Sequence, residues 1–166
     1  MRRRRNRLLL VDDEPNVLSA LTRTLRREPY EIVATASAQH ALNLLRGEDF
    51  DLIIADYLMP EMKGLEFLRK VRNIQPDAMR IMLTGHADLE IVIAAINDGA
   101  IFRFLTKPWD TGELRVTLRL CMQRQELARQ NRDLLNHIAS ICAVCDFVEA
   151  LPQEVKATPT GVDCKS

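Results

Sequence analysis

Five short apolar runs, separated by helical patterns, constrain the fold of this chain more than any other feature. The runs are continuous and do not alternate with polar residues, which is typical of strands covered on both faces. They occupy residues 8–11, 31–35, 52–55, 80–83 and 102–105. Between them, apolar side chains recur at helical spacing, as in the stripe of Val17, Leu21 and Leu25. This alternation predicts a parallel sheet with helices on both faces.

Polar residues follow four of the five predicted strands. In a doubly wound, flavodoxin-like (βα)5 sheet of order 2-1-3-4-5, ligands bind beyond the carboxyl ends of the strands, at the switch between strands 1 and 3. The polar signals follow the contiguous strands 1, 3, 4 and 5 and are missing after edge strand 2. They are Asp12 with Asp13, Asp56, Thr84 and Lys107. We therefore expect these side chains to share one site.

The residue types at this expected site suit a divalent cation and a phosphoryl group. Asp12, Asp13 and Asp56 would repel one another unless a cation neutralised them. Hard oxygen ligands of this kind favour Mg²⁺, which also takes phosphate oxygens, with Mn²⁺ as a substitute. Asp56 can act as a carboxylate nucleophile and form an acyl phosphate. The ammonium of Lys107 and the hydroxyl of Thr84 can then contact the phosphoryl oxygens.

Composition places this site in an ordinary globular protein of 166 residues, long enough for one domain and an appendage. The net charge is zero, so composition does not favour nucleic acid or an anionic membrane surface. Arg2 to Arg5 form a basic tail, which we interpret as solvated and not as a DNA-binding arm. No apolar stretch approaches the roughly 20 residues that span a bilayer. We expect a cytoplasmic protein that does not enter a membrane.

The last helical pattern is longer than a compact domain needs, running from near Asp110 to about Glu149. Leucine and other apolar residues recur in it every seven residues, and Asn131 occupies a site where Asn sets the register of two-stranded coiled coils. We expect a dimerisation helix, with packing of a single helix against its own domain as the alternative. The predicted dimer contacts are Leu120, Leu127, Asn131, Leu134, Ile138 and Ile141. The predicted divisions are a basic tail (1–6), the main domain (7–120), the extended helix (121–150) and a polar, disordered tail (151–166).

Four cysteines lie in the last third of the chain, and Cys142 and Cys145 have the C-x-x-C spacing of metal or redox sites. The surrounding pattern is helical and lacks a βαβ unit. We therefore interpret the cysteines as buried or idle thiols, with metal binding or redox chemistry as the alternative.

Four motifs carry a resemblance to a known family. They are Leu8-Leu-Leu-Val-Asp-Asp-Glu14, Asp56-Tyr-Leu-Met-Pro-Glu-Met-Lys-Gly64, Leu83-Thr-Gly85 and Phe104-Leu-Thr-Lys-Pro-Trp109. Together they resemble the receiver domain of bacterial two-component response regulators, over residues 7 to about 120. The pattern is most similar to receivers that precede HD-GYP-type or other output domains through a long helix.

The resemblance implies a role for each motif residue. Asp56 would accept the phosphoryl group from a histidine kinase or phosphotransfer protein, and Asp13 would bind Mg²⁺ directly. Asp12 would help through water, and the backbone carbonyl of Leu58 would be a further ligand. The remaining roles are the switch pair Thr84 and Phe104, the phosphate partner Lys107, and the loop-shaping residues Pro60, Gly64 and Pro108.

Two other functions fit parts of the same pattern. A scaffold could use the dimerisation helix without phosphorylation, although it would have no need for Thr84 and Lys107 beside the acidic pair. A haloacid-dehalogenase-like phosphohydrolase also uses an aspartyl nucleophile, but such an enzyme needs a second Asp at the position of Leu58. We therefore expect a phosphoacceptor regulator and not an enzyme that turns over external substrates.

Overall fold

The computed structural model describes the backbone of residues 6–85 and 89–149, with side chains as far as residue 138 except 89 and 91. The predictions for the basic tail, the polar C-terminal tail, Ile141, Cys142 and Cys145 lie outside the described residues or side chains. Five strands and five helices alternate along the chain. They are β1 (Asn6–Val11), α1 (Pro15–Leu25), β2 (Tyr30–Thr35), α2 (Ala38–Gly47), β3 (Leu52–Asp56), α3 (Gly64–Ile74), β4 (Met79–Thr84), α4 (Leu89–Asn97), β5 (Arg103–Thr106) and α5 (Thr111–Glu149).

All five strands lie in one parallel sheet of order β2-β1-β3-β4-β5. The predicted fold and strand order are confirmed, and the strand bounds differ by only one or two residues. β1 begins two residues before the predicted run because Asn6 and Arg7 still pair with Tyr30 and Glu31 of β2. β3 and β4 each include the polar residue that follows the apolar run, Asp56 and Thr84.

The sheet separates two apolar layers, because successive side chains of a strand point to opposite faces. Leu9 and Val11 belong to one layer, which the side chains of α2, α3 and α4 complete. Leu8 and Leu10 belong to the other layer, which α1 and α5 complete. β1 and β3 are therefore buried on both faces, as their continuous apolar sequences indicated.

The chain divides into two compact units, Met1–Glu126 and Leu127–Ser166. In the first unit, one face of α5 is buried in the second apolar layer through Leu114, Leu118 and Cys121. In the second unit, the described apolar side chains of α5 are exposed: Leu127, Leu134, Leu135 and Ile138 are 57–65% accessible. Within the described residues, no helix is long and apolar enough to cross a membrane.

Candidate functional site

Three aspartates meet at the carboxyl edge of the sheet. β1 and β3 are neighbours with Val11 opposite Ala55, so the residues that end them lie side by side. Carboxylate oxygens of Asp12, Asp13 and Asp56 lie within 4.8 Å of one another. Asp12 and Asp56 are buried, and Asp13 is half-buried. The structure thus brings together the three acidic residues predicted to bind metal.

Lys107 joins two of these aspartates from the end of β5. Its Nζ lies 2.7 Å from Oδ2 of Asp12 and 2.7 Å from Oδ1 of Asp56. A third carboxylate, that of Glu14, lies 3.9 Å away. The backbone places Lys107 here, because its N–H donates to the carbonyl of Thr84 at the end of the adjacent strand. The peptide bond that follows, to Pro108, is cis.

Burial and pairing shift the pKa values of this ion pair. Burial raises the pKa of Asp12, and the hydrogen bond and charge of Lys107 only partly oppose that rise. Burial lowers the pKa of Lys107, but its hydrogen bonds to Asp12 and Asp56 outweigh that effect, so the net direction is upward. Lys107 therefore stays charged, while ionisation of Asp12 is held in check by burial and by the nearby charge of Asp56.

An open cavity of about 290 Å³ lies over these charges. Its lining includes Asp56, Lys107 and Thr84, and also the unpredicted residues Glu14, Tyr57 and Gly85. Oγ1 of Thr84 is buried and has no hydrogen-bond partner among the described residues. A buried hydroxyl without a partner is costly, so this oxygen is poised to bond a group that enters the cavity. Phe104, predicted as its switch partner, is half-buried and packs against the layer formed by α2, α3 and α4.

The loop between β3 and α3 forms one wall of the cavity. The N–H of Leu58 donates to Oδ2 of Asp56 at 2.8 Å, and the N–H of Gly64 donates to the carbonyl of Tyr57 at 2.8 Å. Gly64 is required here because a Cβ on it would lie 1.9 Å from the carbonyl oxygen of Asp56. Gly64 thus lies against the backbone of Asp56, at the position where it was predicted to shape the loop.

These residues fit a divalent cation. Three clustered carboxylates face a single lysine, which leaves an excess of negative charge in a largely buried place. Asp13, Asp56 and Leu58 line the cavity, and carboxylate and carbonyl oxygens are the donors that Mg²⁺ prefers. Asp12 is less available than the other two carboxylates, since it is 1% exposed and is not among the residues that line the cavity.

Comparison with known proteins agrees with this geometry. The family model described as "Response regulator receiver domain" matches residues 8–119. The hydrogenase transcriptional regulatory protein HoxA of Bradyrhizobium diazoefficiens is 36% identical over 123 residues, covering 74% of this chain and 25% of the relative. The chain therefore spans about a quarter of the length of this curated relative, and transcriptional regulation is described for the whole of that protein.

Solved structures show the same fold. The signal receiver domain of an HD domain-containing protein from Pseudomonas fluorescens has a TM-score of 0.73 and 37% identity, and the match covers 78% of this chain and 96% of that chain. The beryllofluoride-activated NtrC4 receiver domain, described as a dimer in solution, has a TM-score of 0.68 and 28% identity over 72% of this chain and 98% of that chain.

Proposed function

Because the chain belongs to the response regulator receiver domain family, we propose that Asp56 accepts a phosphoryl group from a histidine kinase or phosphotransfer protein. The observation that carries this proposal is the position of Lys107, whose Nζ lies 2.7 Å from the Asp56 carboxylate beside a cavity that Thr84 also lines. A cytoplasmic location is part of the same proposal.

The proposed reaction transfers a phosphoryl group from an oxygen or nitrogen atom of the donor to the carboxylate of Asp56. An oxygen of Asp56 attacks phosphorus, the bond from phosphorus to the donor breaks, and the donor leaves with that electron pair. Lys107 holds a positive charge against the phosphoryl oxygens, and the side chains of Asp13 and Asp56 with the Leu58 carbonyl would hold Mg²⁺. When bound, this cation neutralises charge on the carboxylates and the phosphoryl group.

Phosphorylation then acts as a switch. It adds about −1.5 to −2 charge and strong acceptor oxygens to the carboxyl edge of the sheet. The Thr84 hydroxyl gains a partner by moving towards one of those oxygens, and Phe104 turns into the space that this movement vacates. Both residues lie on the neighbouring strands β4 and β5, where Met82 is paired with Phe104 and Thr84 with Thr106. The change is therefore transmitted to the face formed by α4, β5 and α5.

That face and the distal part of α5 are the proposed routes of output. Ile93 of α4 and Val116 and Leu120 of α5 are 49%, 53% and 44% exposed, an apolar set on the surface of the first unit. In the second unit, Leu127 and Leu134 are exposed with the polar Asn131 between them. We propose that these leucines pair with those of a second copy, which makes the regulator a homodimer.

The site favours a regulator over a phosphohydrolase. An aspartyl-nucleophile phosphohydrolase needs a general acid two residues after the nucleophile, and that residue is the apolar Leu58, which is 60% exposed at the cavity. Turnover of external substrates is therefore not expected, and the acyl phosphate is lost only by slow hydrolysis.

Intact mass after incubation with acetyl phosphate and Mg²⁺ tests the proposal. The wild type is expected to gain a single phosphoryl adduct that EDTA prevents, and Asp56→Asn is expected to gain none. Asp51→Asn is the matched control, because Asp51 precedes the same strand at the opposite edge, where it accepts from the backbone N–H of Arg7.

The same samples on size exclusion with light scattering test the output. A dimer that Leu134→Glu dissociates supports pairing through α5. A wild type that gains no adduct from any donor but is still a dimer would contradict the proposed phosphoacceptor function. It would support the scaffold function, which the exposed leucines of α5 also permit.

A further inference from the structure

The loop between β3 and α3 is fastened to α2 by the carboxylate of Glu61. Oε1 and Oε2 of Glu61 accept from the hydroxyl of Ser37 at 2.9 and 3.1 Å, and Oε2 also accepts from the backbone N–H of Gln39 at 2.8 Å. Ser37 is the N-cap of α2, and its own Oγ accepts from the N–H of His40. Glu61 thus contacts the beginning of a helix that lies 22 to 24 residues away in the chain.

The beginning of α2 is a favourable place for this carboxylate. A helix N-terminus carries unpaired N–H groups and partial positive charge, and α2 has no acidic residue of its own in its first turn. The hydrogen bonds from Gln39 and then Ser37 lower the pKa of Glu61. The loop that forms the wall of the candidate site therefore supplies the negative charge that the first turn of α2 lacks.

The rest of the loop is fixed at its base and by one apolar side chain. The hydrogen bond between Gly64 and Tyr57 closes the base, and Met59 is buried in the layer beneath. Leu58 lies between that base and the Glu61 contact, with its N–H on Asp56. The backbone on either side of the Leu58 carbonyl is thus held, by the bond of the Leu58 N–H to Asp56 before it and by the contact of Glu61 with α2 after it.

We propose that Glu61 is a positioning residue for the metal site: its contact with α2 holds the loop so that the Leu58 carbonyl is already oriented for a divalent cation. This inference rests on the proposed function, because it takes the Leu58 carbonyl as a ligand. Groups that orient a metal ligand affect metal affinity even when they do not touch the metal.

A purely structural role for Glu61 would have a different signature. An exposed ion contact or helix-end carboxylate adds little to global stability, and its loss would leave the affinity of the folded protein for Mg²⁺ unchanged. A positioning role lowers that affinity and loosens the loop while the rest of the domain stays folded.

The test compares the Mg²⁺ dissociation constants of the full chain and its variants by titration calorimetry, with amide hydrogen exchange of residues 57–64 as a second readout. Glu61→Ala is expected to weaken Mg²⁺ binding about tenfold, the low end of the loss when a group that orients a ligand is removed, and to speed exchange in the loop. Glu61→Gln keeps an oxygen that can accept from Ser37 and Gln39, so it is expected to retain most of the affinity.

Glu66→Ala is the matched control. Glu66 is also an exposed carboxylate close to the loop, but its partner is Lys70 on the same helix, 2.8 Å away. The Glu66→Ala substitution removes the same charge from the same region without releasing the loop. This variant is therefore expected to bind Mg²⁺ as the wild type does. Ser37→Ala should weaken Mg²⁺ binding in the same direction as Glu61→Ala, and the double variant should add little.

The outcomes separate this inference from the function on which it rests. If the wild type neither binds Mg²⁺ nor accepts a phosphoryl group, the proposed function fails and the inference fails with it. If the wild type does both and Glu61→Ala binds Mg²⁺ within about twofold of it, only the inference is overturned. Equal weakening by Glu66→Ala would also overturn it, since the effect would then be one of general charge.

Discussion

The two edges of the sheet hold their charged side chains in opposite ways. At the amino edge, each guanidinium nitrogen of Arg7 and Arg80 has an acceptor. Arg7 is bonded to Glu31, Glu48 and the carbonyl of Asp49. Arg80 donates to four backbone carbonyls, those of Pro76, Ala78, Gly99 and Ala100.

At the carboxyl edge the balance is different. Three aspartates are clustered, two of them on Lys107, and the hydroxyl of Thr84 has no partner among the described residues. Matched polar groups stabilise a fold, whereas clustered and incompletely matched ones mark a place where something binds. The charged groups at the amino edge therefore fasten the strands, whereas those at the carboxyl edge are left in the arrangement expected of a binding site.

The largest expected effect comes from crowding the carboxyl edge. Gly64→Ala places a Cβ against the carbonyl oxygen of Asp56, so the backbone must shift, and we expect the unfolding free energy to fall by about 2–4 kcal/mol. Phosphoryl transfer to Asp56 should be lost as well. Chemical denaturation and intact mass measure the two effects. Gly47→Ala is the control, because a Cβ there meets nothing within 4 Å; equal losses in both variants would contradict the steric explanation.

The next prediction compares how Mg²⁺ changes the stability of variants at the two edges. Lys107→Met leaves Asp12 and Asp56 facing each other without a cation, and should lower the unfolding free energy by about 1–3 kcal/mol. Saturating Mg²⁺ should restore most of that loss, since it binds only the folded state. Arg7→Met, at the other edge, should lose stability that Mg²⁺ does not restore. If thermal denaturation shows the same response to Mg²⁺ in both variants, the two edges do not differ in metal binding.

A smaller effect concerns the buried charge of Asp12. Its pKa is raised by burial, so the folded protein binds this proton more tightly than the unfolded chain. The contribution of Asp12 to the unfolding free energy of the metal-free protein is therefore largest below its unfolded pKa of about 4. It declines as the pH rises through the pKa of Asp12 in the folded protein. Asp12→Asn should raise the metal-free unfolding free energy at neutral pH by about 1 kcal/mol.

Denaturation in urea at acidic and neutral pH measures this change. Asp51→Asn, at the amino edge, removes a carboxylate that accepts from the N–H of Arg7 at 2.6 Å, and it should be neutral or destabilising. A gain of stability in both variants would mean that the edges do not differ in charge balance.

The smallest expected effect concerns the thiol of Cys121, which lies on α5, away from both edges of the sheet. Burial raises the pKa of the Cys121 thiol to about 12. The unfolded thiol ionises at lower pH, so the folded state loses stability as the pH rises from about 9 towards 12. Near pH 9.5 we expect a loss of roughly 0.5–1 kcal/mol relative to neutral pH. Cys121→Ala should lack this part of the alkaline decline, and identical pH profiles would contradict the assignment.

The sequence predicted the sheet and most of the site because both depend on patterns along the chain. Continuous apolar runs identify buried strands, and the parallel order then places Asp12, Asp56 and Lys107 at one edge, where the structure has them. Contacts made by loops that are distant in the chain could not be predicted in this way. Glu61 meets Ser37, and Arg7 meets Glu48, only because folded segments 24 and 41 residues apart come together.

The heptad pattern of α5 shows another limit. Thr117 falls in the same seven-residue series as Asn131, yet it is buried within its own domain, 1% exposed. A seven-residue repeat cannot reveal which side of a helix the sheet covers, because packing against the sheet and packing against a second helix both require apolar side chains. The predicted contacts of Leu127 and Leu134 stay predictions, and both side chains are exposed in the second unit.

The hydroxyl of Thr84, which has no partner among the residues that the structure describes, has a consequence for the populations of the two proposed switch states. A buried hydroxyl without a hydrogen bond raises the free energy of the resting state by about 1–3 kcal/mol. In the proposed switch, the acceptor that the Thr84 hydroxyl gains is an oxygen of the phosphoryl group, so this cost is relieved only when Asp56 is phosphorylated. Each 1.4 kcal/mol corresponds to about a tenfold change in an equilibrium, so the new hydrogen bond would shift the proposed equilibrium towards the phosphorylated conformation by a factor of that order.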